Sequence, residues 1–439
     1  MPITRLLVAN RGEIALRVFR TCRQLGIETV AVVAPDDRGS LHARSADVTA
    51  EIASYLDAAE HLRAARETGA DAIHPGYGFL AERADFAATV GAAGLAWVGP
   101  PPEALRLGGD KSAAKRTAIA AGVPVLPEGD PATVGFPLLV KATAGGGGRG
   151  MRVVRDPAEL DGALAAAARE AEAAFGDGRV FCERYLERAR HIEVQLVVDD
   201  DGYVLLLGER DCSIQRRHQK VLEECPPAGL APTARRRLQS AAAAFASAIG
   251  YRNAGTAEFL VAGDDVYFLE LNGRIQVEHP VTECVYGVDL VELQIRVANG
   301  ESLAGYLPET RGHAVEVRLC AEDPRTFLPQ AGRIERLRLP AGIRVDAGFE
   351  EGDEIGTSYD SLLAKLVAHA GTREDAFELL AVALAETEVV GVTTNLPFLR
   401  WLAAHPDVRA GGVETVFLTE HPPLSPPPLR PVSAPWRAA

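Results

Sequence analysis

Apolar residues recur along this chain in two rhythms, and their order predicts an α/β architecture. Residues 5–33 open with an apolar run, LLVAN, continue with helical spacing in EIALRVFRTCRQLG, and return to an apolar run in TVAVV. That is a strand–helix–strand unit from an open parallel sheet with helices outside it. Helical spacing resumes over 57–69, and a strand follows at 71–73. His74-Pro75-Gly76-Tyr77-Gly78-Phe79 then forms a tight loop at the strand's carboxyl end, where open α/β sheets place ligands. No GxGxxG follows the first strand, which argues against a dinucleotide fold.

A second region begins near Asp110-Lys111. It predicts a helix over 112–121, a turn over 122–127 and a strand over 138–141 that feeds a glycine cluster. An alanine-rich helix over 157–174 follows, then strands near 180–183, 191–198 and 203–208, and a helix over 231–249. A third region, from about Arg311, is strand-rich with a helix at 373–386. The end, HPPLSPPPLRPVSAPWRAA, reads as an extended or disordered tail. No internal repeat is present.

At 439 residues the chain has room for two to four domains. Its formal charge of −14 argues against non-specific binding to nucleic acid or anionic membranes, without excluding a local basic pocket. No run of eighteen apolar residues suggests a membrane span, and MPITRLLVANRGEIA lacks the features of a signal peptide, so the expected location is cytoplasmic. Cys22, Cys182, Cys212, Cys225, Cys284 and Cys320 show no CxxC spacing. They are expected to be reduced thiols, and the ligand spacings of a zinc site are absent.

The densest chemistry lies in AEFLVAGDDVYFLELNGRIQVEH, from Ala257. Two predicted strands carry Glu258 and Glu270 toward one place, with Asn272, Arg274 and Glu278 close behind. Two carboxylates and an amide oxygen make a hard-oxygen site suited to Mg²⁺ (or Mn²⁺), which takes a few carboxylates plus phosphate oxygens and water. An arginine and a free glutamate beside it could hold and deprotonate a small anion. Lys141-Ala-Thr-Ala-Gly145-Gly146-Gly147-Gly148-Arg149-Gly150 is the second signal. It reads either as a mobile flap whose N–H groups meet phosphate oxygens or as a flexible hairpin. It is not a Walker A loop, because no Gly-Lys-Ser/Thr follows. Arg210-Asp211-Cys212-Ser213-Ile214-Gln215-Arg216-Arg217-His218-Gln219-Lys220 is a basic cluster in an acidic chain. It is either a solvated turn or a set of donors delivered to a cleft. Lys111 could be a plain helix-start lysine. Glu183-Arg184-Tyr185-Leu186 looks like a strand edge. Arg318 alternates with apolar neighbours and could face solvent or a site. Cys212 lacks the partners of a nucleophile.

Taken together, these strings resemble the biotin carboxylase family, the ATP-grasp subunit of biotin-dependent carboxylases. The likeness runs in order from about residue 5 to 420 through ANRGEIA, HPGYGFL, GDK, GGGGRGMR, RHIEVQ, ERDCSIQRRHQK, AGTAEFL, NGRIQVEHPVTE, RGHAVEVR, AEDP and YDSLLAKL. NGRIQVEHPVTE and ERDCSIQRRHQK are its most specific parts. The resemblance implies an α/β, three-domain ATP-grasp enzyme. Residues 1–108 would be a Rossmann-like or flavodoxin-like N-terminal parallel sheet, and 109–310 an ATP-grasp centre with a mobile lid at about 126–187. A strand-rich C-terminal domain would occupy 311–421, and a proline-rich tail 422–439.

By the same resemblance Lys111, Lys141, Gly147 and Gly148 contact ATP phosphates, with Lys141 also near the adenine. Glu183, Arg184, Tyr185 and Leu186 line the adenine, and His191, Gln215 and His218 sit near the ribose and nucleotide. Glu258, Glu270 and Asn272 hold the divalent metal. Lys220, Arg274, Val277 and Arg318 bind bicarbonate, Glu278 is the base that deprotonates it, and Arg318 stabilises the enolate-like oxygen of biotin. The implied reaction makes carboxyphosphate from ATP and bicarbonate and then carboxylates biotin. Closure of the glycine flap would exclude water from that intermediate.

The chain departs from the family pattern in four places. Gly273 stands where Thr or Pro is usual, and Gly356-Thr357-Ser358 replaces a proline-containing stretch. The chain is short by about eight residues around 47–54 and by about a helix between 127 and 136, which suggests a smaller lid. Only Met1 and Met151 are present, so the Met-Lys-Met acceptor of a biotin carrier is absent and the tail after His421 is short for such a domain. Biotin is therefore expected on another chain, with a carboxyltransferase subunit as a further partner and a homodimer as the assembly. The string TTNLPFLRWLAAHPDVRAGGVETVFLTEH is more like the acyl-CoA (acetyl- or propionyl-CoA) carboxylase branch.

Overall fold

The computed structural model describes residues 2–143, 151–216 and 219–424. The first hundred residues build a parallel sheet from β1 (Arg5–Val8), β2 (Glu28–Val33), β3 (Val48–Glu51), β4 (Ala72–His74) and β5 (Ala96–Trp97), in the order β3-β2-β1-β4-β5. Leu6 and Val8 of β1 join one core with Ile14, Val18 and Phe19, while Leu7 joins another with Val30, Ile73 and Phe86. Burial on both faces explains why β1 reads as a continuous apolar run rather than an alternating one. The loop after β4 is clamped by Asn10, whose Nδ2 donates to the carbonyls of Pro75 (2.9 Å) and Tyr77 (2.6 Å). Gly76 there has φ +63, and a Cβ would run into the Asn10 side chain.

A small antiparallel sheet follows: β6 (Glu128–Gly129), β7 (Leu138–Ala142), β8 (Arg152–Val154) and β9 (Val180–Arg184), in the order β6-β9-β7-β8. The helix Leu160–Phe175 packs on it through Ala167, Leu164 and Ala163. Where the sequence is short, between β6 and β7, the chain makes a single turn of helix, Pro131–Val134.

The largest sheet has eight strands. Five come from the middle of the chain: β10 (Arg190–Val198), β11 (Val204–Arg216), β12 (Gln219–Cys225), β13 (Asn253–Ala262) and β14 (Asp265–Asn272). The C-terminal third forms β15 (His313–Cys320), β16 (Gly332–Arg333), β17 (Arg336–Arg338), β18 (Arg344–Ala347), β19 (Glu354–Ile355), β20 (Leu362–Ala370) and β21 (Glu388–Val390), of which β15, β18 and β20 complete the eight. The order is β14-β13-β10-β11-β12-β15-β20-β18, with β16-β19 and β17-β21 as separate ribbons. The sheet therefore runs without a break across the boundary expected near residue 311, through the β12–β15 pairing of Leu222 with Val317.

Alternation along β10 and β13 sorts two faces. Ile192, Val194 and Leu196, with Ala257, Phe259 and Val261, pack under the helix Pro232–Ala248 through Leu238, Ala242 and Phe245. His191, Glu193 and Gln195, with Thr256 and Glu258, take the other face. Register fixes which of these meet: Glu270 lies opposite Glu258, Glu258 opposite Glu193, and Glu193 opposite Arg210.

That last pairing depends on a bulge. Leu196 pairs with Leu206 and Val194 with Glu209, so two residues of β11, Leu207 and Gly208, face the single Gln195. Gly208 takes the left-handed conformation (φ +67) that such a bulge uses. Without the extra residue, Glu209 would stand opposite Glu193.

The structure settles one reading left open and corrects another. Of the segment from Arg210 to Lys220, residues 210–216 finish β11 and 219–220 start β12, inside the sheet rather than in a solvated turn. Glu183 is not on a strand edge, because β9 is paired on both sides, with Glu128 and with Leu139. The two-residue β6, flanked by prolines, was too short to read from pattern. The C-terminal region also carries helices the periodicity did not expose, notably Leu396–Ala404, Pro406–Ala410 and Phe417–Glu420. The helices that were expected fall within a few residues of their positions, and Arg373–Glu386 matches end to end, whereas Ala84–Ala92, Pro102–Gly109, His279–Tyr286 and Leu290–Ala298 were not read from the sequence. Among the described residues no helix is long and apolar enough to cross a membrane. The proline-rich tail from residue 425 lies outside the described residues.

Gly208→Ala should cost roughly 1–3 kcal/mol, because a Cβ there both opposes the left-handed backbone and collides with the Tyr286 hydroxyl. Urea unfolding measures it; wild-type stability in the variant would contradict the bulge assignment.

Candidate active site

The row of cross-strand neighbours brings carboxylates together where no water can separate them. Glu193 is fully buried and Glu258 and Glu278 nearly so. Like charges at this spacing survive only with cations among them. Lys220, carried in from β12, is that cation. Its Nζ donates to Glu193, to Glu258 Oε1 at 2.9 Å and to Glu278 Oε1 at 2.7 Å, using all three N–H bonds. Arg210, wholly buried, closes the other side of Glu193 at 3.2 Å and donates to Gln195, Thr256, Gln276 and Thr282.

Charge balance sets the ionisation of the group. Burial alone would raise Glu278, but Lys220, Arg318 and Arg210 hold its carboxyl far below the usual range. Burial is likewise outweighed at Glu258, by Lys220 and His191. His191 Nε2 lies 3.0 Å from Glu258 Oε2, and despite burial the carboxylates raise it to about 9. Lys220 is pushed well above its ordinary value by its three partners.

The expected metal ligands sit together at the edge of this cluster. Glu258 Oε1 accepts from Asn272 Nδ2 (2.7 Å) and Gln276 Nε2 (2.7 Å), and Arg274 donates to Asn272 Oδ1 (2.8 Å). Glu270 differs: among the described residues nothing hydrogen-bonds or ion-pairs with its carboxylate. Burial and the neighbouring Glu258 raise its pKa, partly offset by Lys111. A half-buried carboxylate without a partner, across the ladder from a second one, fits a hard divalent cation. Burial in turn lowers Lys111, the first residue of a helix capped by Asp110.

On the nucleotide side, Lys141 Nζ lies 3.0 Å from Glu183 Oε2, and Lys115 holds the other oxygen at 2.6 Å. Tyr185 N–H donates to the Pro137 carbonyl (3.1 Å), while Arg184 N–H bonds Pro127 (2.8 Å). Gln215 pairs with Lys220 across the β11–β12 hairpin. Gly147, Gly148 and His218 lie outside the described residues.

Arg318 closes the C-terminal side. Far from facing solvent, it sits between Glu223 and Glu278, with Nη2 3.1 Å from Glu278 Oε2. Val277 is steadied by Lys365, whose Nζ donates to its carbonyl at 2.9 Å and lies 3.1 Å from Glu13. A cavity of about 260 Å³ opens beyond Lys220 and Arg318, lined among others by Tyr77, Gln219, Val277, Phe327 and Asn395. Arg274 meets Glu82 of the N-terminal region at 3.3 Å, and Glu82 also accepts from Gly273 N–H at 3.1 Å. All six cysteines are free thiols, and burial pushes Cys212 well up, which leaves it inert as a nucleophile.

Sequence reading missed Glu193, Glu223, Lys365, Lys115 and Glu82, and gave Arg210 no role of its own within the basic cluster. For Glu193 a signal existed: His191, Glu193 and Gln195 put three polar groups on one side of an otherwise apolar strand. Glu223 and Lys365 had none, since each becomes meaningful only beside Arg318 or Val277.

Comparison with known proteins accords with this geometry. Residues 2–105 match the family description "Biotin carboxylase, N-terminal domain", 129–306 "Carbamoyl-phosphate synthase L chain, ATP binding domain", and 316–420 "Biotin carboxylase C-terminal domain". The chain is 45% identical to a biotin carboxylase of Halalkalibacterium halodurans, over 95% of this chain and 97% of that one. It is 47% identical to the mitochondrial methylcrotonoyl-CoA carboxylase subunit alpha of Arabidopsis thaliana over 95% of its own length, and spans only 61% of that relative. In structure it matches the biotin carboxylase domain dimer of the Hydrogenobacter thermophilus 2-oxoglutarate carboxylase, in complex with MgADP, ADP and bicarbonate. The TM-score is 0.93 at 43% identity, covering 96% of this chain and 98% of that one.

Lys220→Met should cost about 3–5 kcal/mol at neutral pH, because it strands three buried carboxylates. Glu258 and Glu278 have depressed folded pKa values, so the stability Lys220 supplies is present above the unfolded carboxylate pKa and fades as pH falls through the folded ones. Denaturation across the acid range should show the gap between wild type and variant narrowing on acidification. A constant gap would refute the charge-balance account.

Proposed function

The chain belongs to the biotin carboxylase family, and from that premise we propose that it uses ATP and bicarbonate to carboxylate carrier-borne biotin. The observation that carries this reading is the convergence of Lys220, Arg318 and Glu278. It is a carboxylate poised as base between two cations that can hold an anion, beside Glu270, a carboxylate suited to a metal and without a partner among the described residues.

Bicarbonate is a poor nucleophile while it keeps its proton. In the proposed mechanism it enters beside Arg274, the Val277 N–H, Lys220 and Arg318. Hydrogen bonds from the two cations shift onto it, and Glu278, relieved of part of its charge pairing, becomes a stronger base. Glu278 takes the O–H proton, and the carbonate oxygen attacks the γ-phosphorus. The bridging P–O bond breaks to release ADP and leave carboxyphosphate. Lys111 and Lys141 offset charge on the phosphates, with His191, Gln215, His218 and the Glu183–Leu186 segment holding the nucleotide and Gly147 and Gly148 closing over it. Glu258, Glu270 and Asn272 would hold Mg²⁺, which when bound offsets charge on the transferring phosphoryl group. Carboxyphosphate then splits to CO₂ and phosphate. The phosphate takes the N1′ proton of biotin, Arg318 faces the ureido oxygen, and N1′ attacks CO₂.

The cavity beyond Arg318 supports this assignment as an entrance for a tethered acceptor, because the metal and phosphate groups do not line it. We further propose a biotin carrier and a carboxyltransferase as partners and a homodimer as the working form. The proposed final acceptor is an acyl-CoA of the acetyl- or propionyl-CoA type. The C-terminal string supports that choice; the similarity to a methylcrotonoyl-CoA carboxylase subunit supports a CoA thioester without selecting the acetyl or propionyl type.

ADP release with Mg-ATP, bicarbonate and free biotin tests the reading. Wild type should show bicarbonate-dependent, biotin-stimulated turnover, and Glu278→Gln should lose on the order of 10²–10⁴-fold, as expected for removal of a general base. ATP binding without any biotin stimulation would point to another acceptor.

A further inference from the structure

Arg318 has two carboxylate neighbours, and the mechanism above uses only one. The other, Glu223 on β12, is fully buried. Its Oε1 accepts from Arg318 Nε at 2.7 Å and lies 2.5 Å from Nη2. Nη2 also reaches Glu278. Among the described residues Nη1 has no acceptor, and Arg318 borders the cavity. Glu223 thus occupies one edge of the guanidinium and leaves the opposite nitrogen for a ligand.

The setting of Glu223 is costly for the fold. Its register partner across β12 and β15 is Glu316, also fully buried, and among the described residues neither carboxylate oxygen of Glu316 is hydrogen-bonded. The second oxygen of Glu223 likewise has no partner among them. Side-by-side buried carboxyls destabilise a sheet, and an apolar pair of similar volume would serve stability at least as well. Burial pushes Glu316 well above the usual carboxylate range, with Lys365 acting against it; burial also raises Glu223, to about 7, against the pull of Arg318, which leaves Glu223 to ionise against Arg318 at mildly alkaline pH.

Resting on the proposed carboxylase reading, we propose that Glu223 is a positioning residue for the biotin half of the reaction: it orients Arg318 so that Nη1 faces the acceptor cavity, and it keeps the guanidinium from collapsing onto Glu278. Glu278 and Glu223 then compete for one cation. When Glu278 is protonated by bicarbonate, its hold on Nη2 weakens. Glu223 keeps Arg318 in place for the ureido oxygen that arrives next.

The two half-reactions separate in one assay at mildly alkaline pH. Bicarbonate-dependent ADP release is measured without biotin and then with it, for wild type, Glu223→Gln and Glu316→Gln. Glu223→Gln should lose biotin-stimulated turnover by on the order of 10²-fold, as misplacement of a reacting partner does. Its biotin-independent release should fall by no more than about 10-fold, because Arg318 is one of several groups meeting bicarbonate, and its KM for ATP should stay within about 3-fold, because no nucleotide contact changes. Glu316→Gln, isosteric with a neutral acid, should keep both activities. Full biotin stimulation in Glu223→Gln overturns the proposal, and so does an equal loss of both activities. If Glu223→Gln does not fold, Glu223→Asp, which keeps the charge but withdraws it by one methylene, carries the same test. Absence of biotin stimulation in wild type would count against the carboxylase reading itself and is seen before any variant is made.

Discussion

One ammonium group, that of Lys220, is the constraint on which the site depends. It spends its three N–H bonds on Glu193, Glu258 and Glu278, which come from two neighbouring strands and the loop after β14. None of these carboxylates could stay ionised alone at such burial, and the lysine would lose its proton in an apolar setting. The cluster exists only as a set, closed by Arg210 behind Glu193 and by Arg318 beyond Glu278. Satisfied networks of this kind are rigid, because each group that leaves strands another. That rigidity lets a base be stored between cations.

The sheet supplies the geometry. A β-ladder places side chains of opposed residues close on one face, so register alone decides which charges meet. The Gly208 bulge shifts β11 by one residue and sets Arg210 rather than Glu209 against Glu193. Because the same sheet continues through β12 into β15 and β20, Arg318, Glu223 and Lys365 reach the cluster without a flexible joint. The N-terminal sheet completes the walls: Glu13 meets Lys365, Glu82 meets Arg274, and the Asn10-clamped loop presents Tyr77 to the cavity. Chain segments more than two hundred residues apart therefore share one site.

Much of this was legible in advance. The pattern put Glu258 and Glu270 on two strands that carry them toward one place, and they are direct ladder partners. The parallel N-terminal sheet followed from an apolar–helical–apolar order, and the loop after β4 fell where ligand loops belong. The segment from Arg210 to Lys220 was recognised as chemically loaded, but its strands were hidden because polar residues interrupt the alternation that marks a strand. Pattern rules assume that polar means exposed, and here both faces of the sheet are buried. The same assumption left Arg318 open between solvent and site.

The sequence by itself determined the elements, the charged inventory and the family likeness, since these follow from local spacing and from strings of adjacent residues. Only the tertiary structure decided which charges neutralise which. Glu193, Glu223, Glu316 and Lys365 look alike on paper as single charged residues in apolar strands. Their partners differ because the neighbour each meets across the ladder is set by register and a one-residue bulge, quantities with no local trace in the chain.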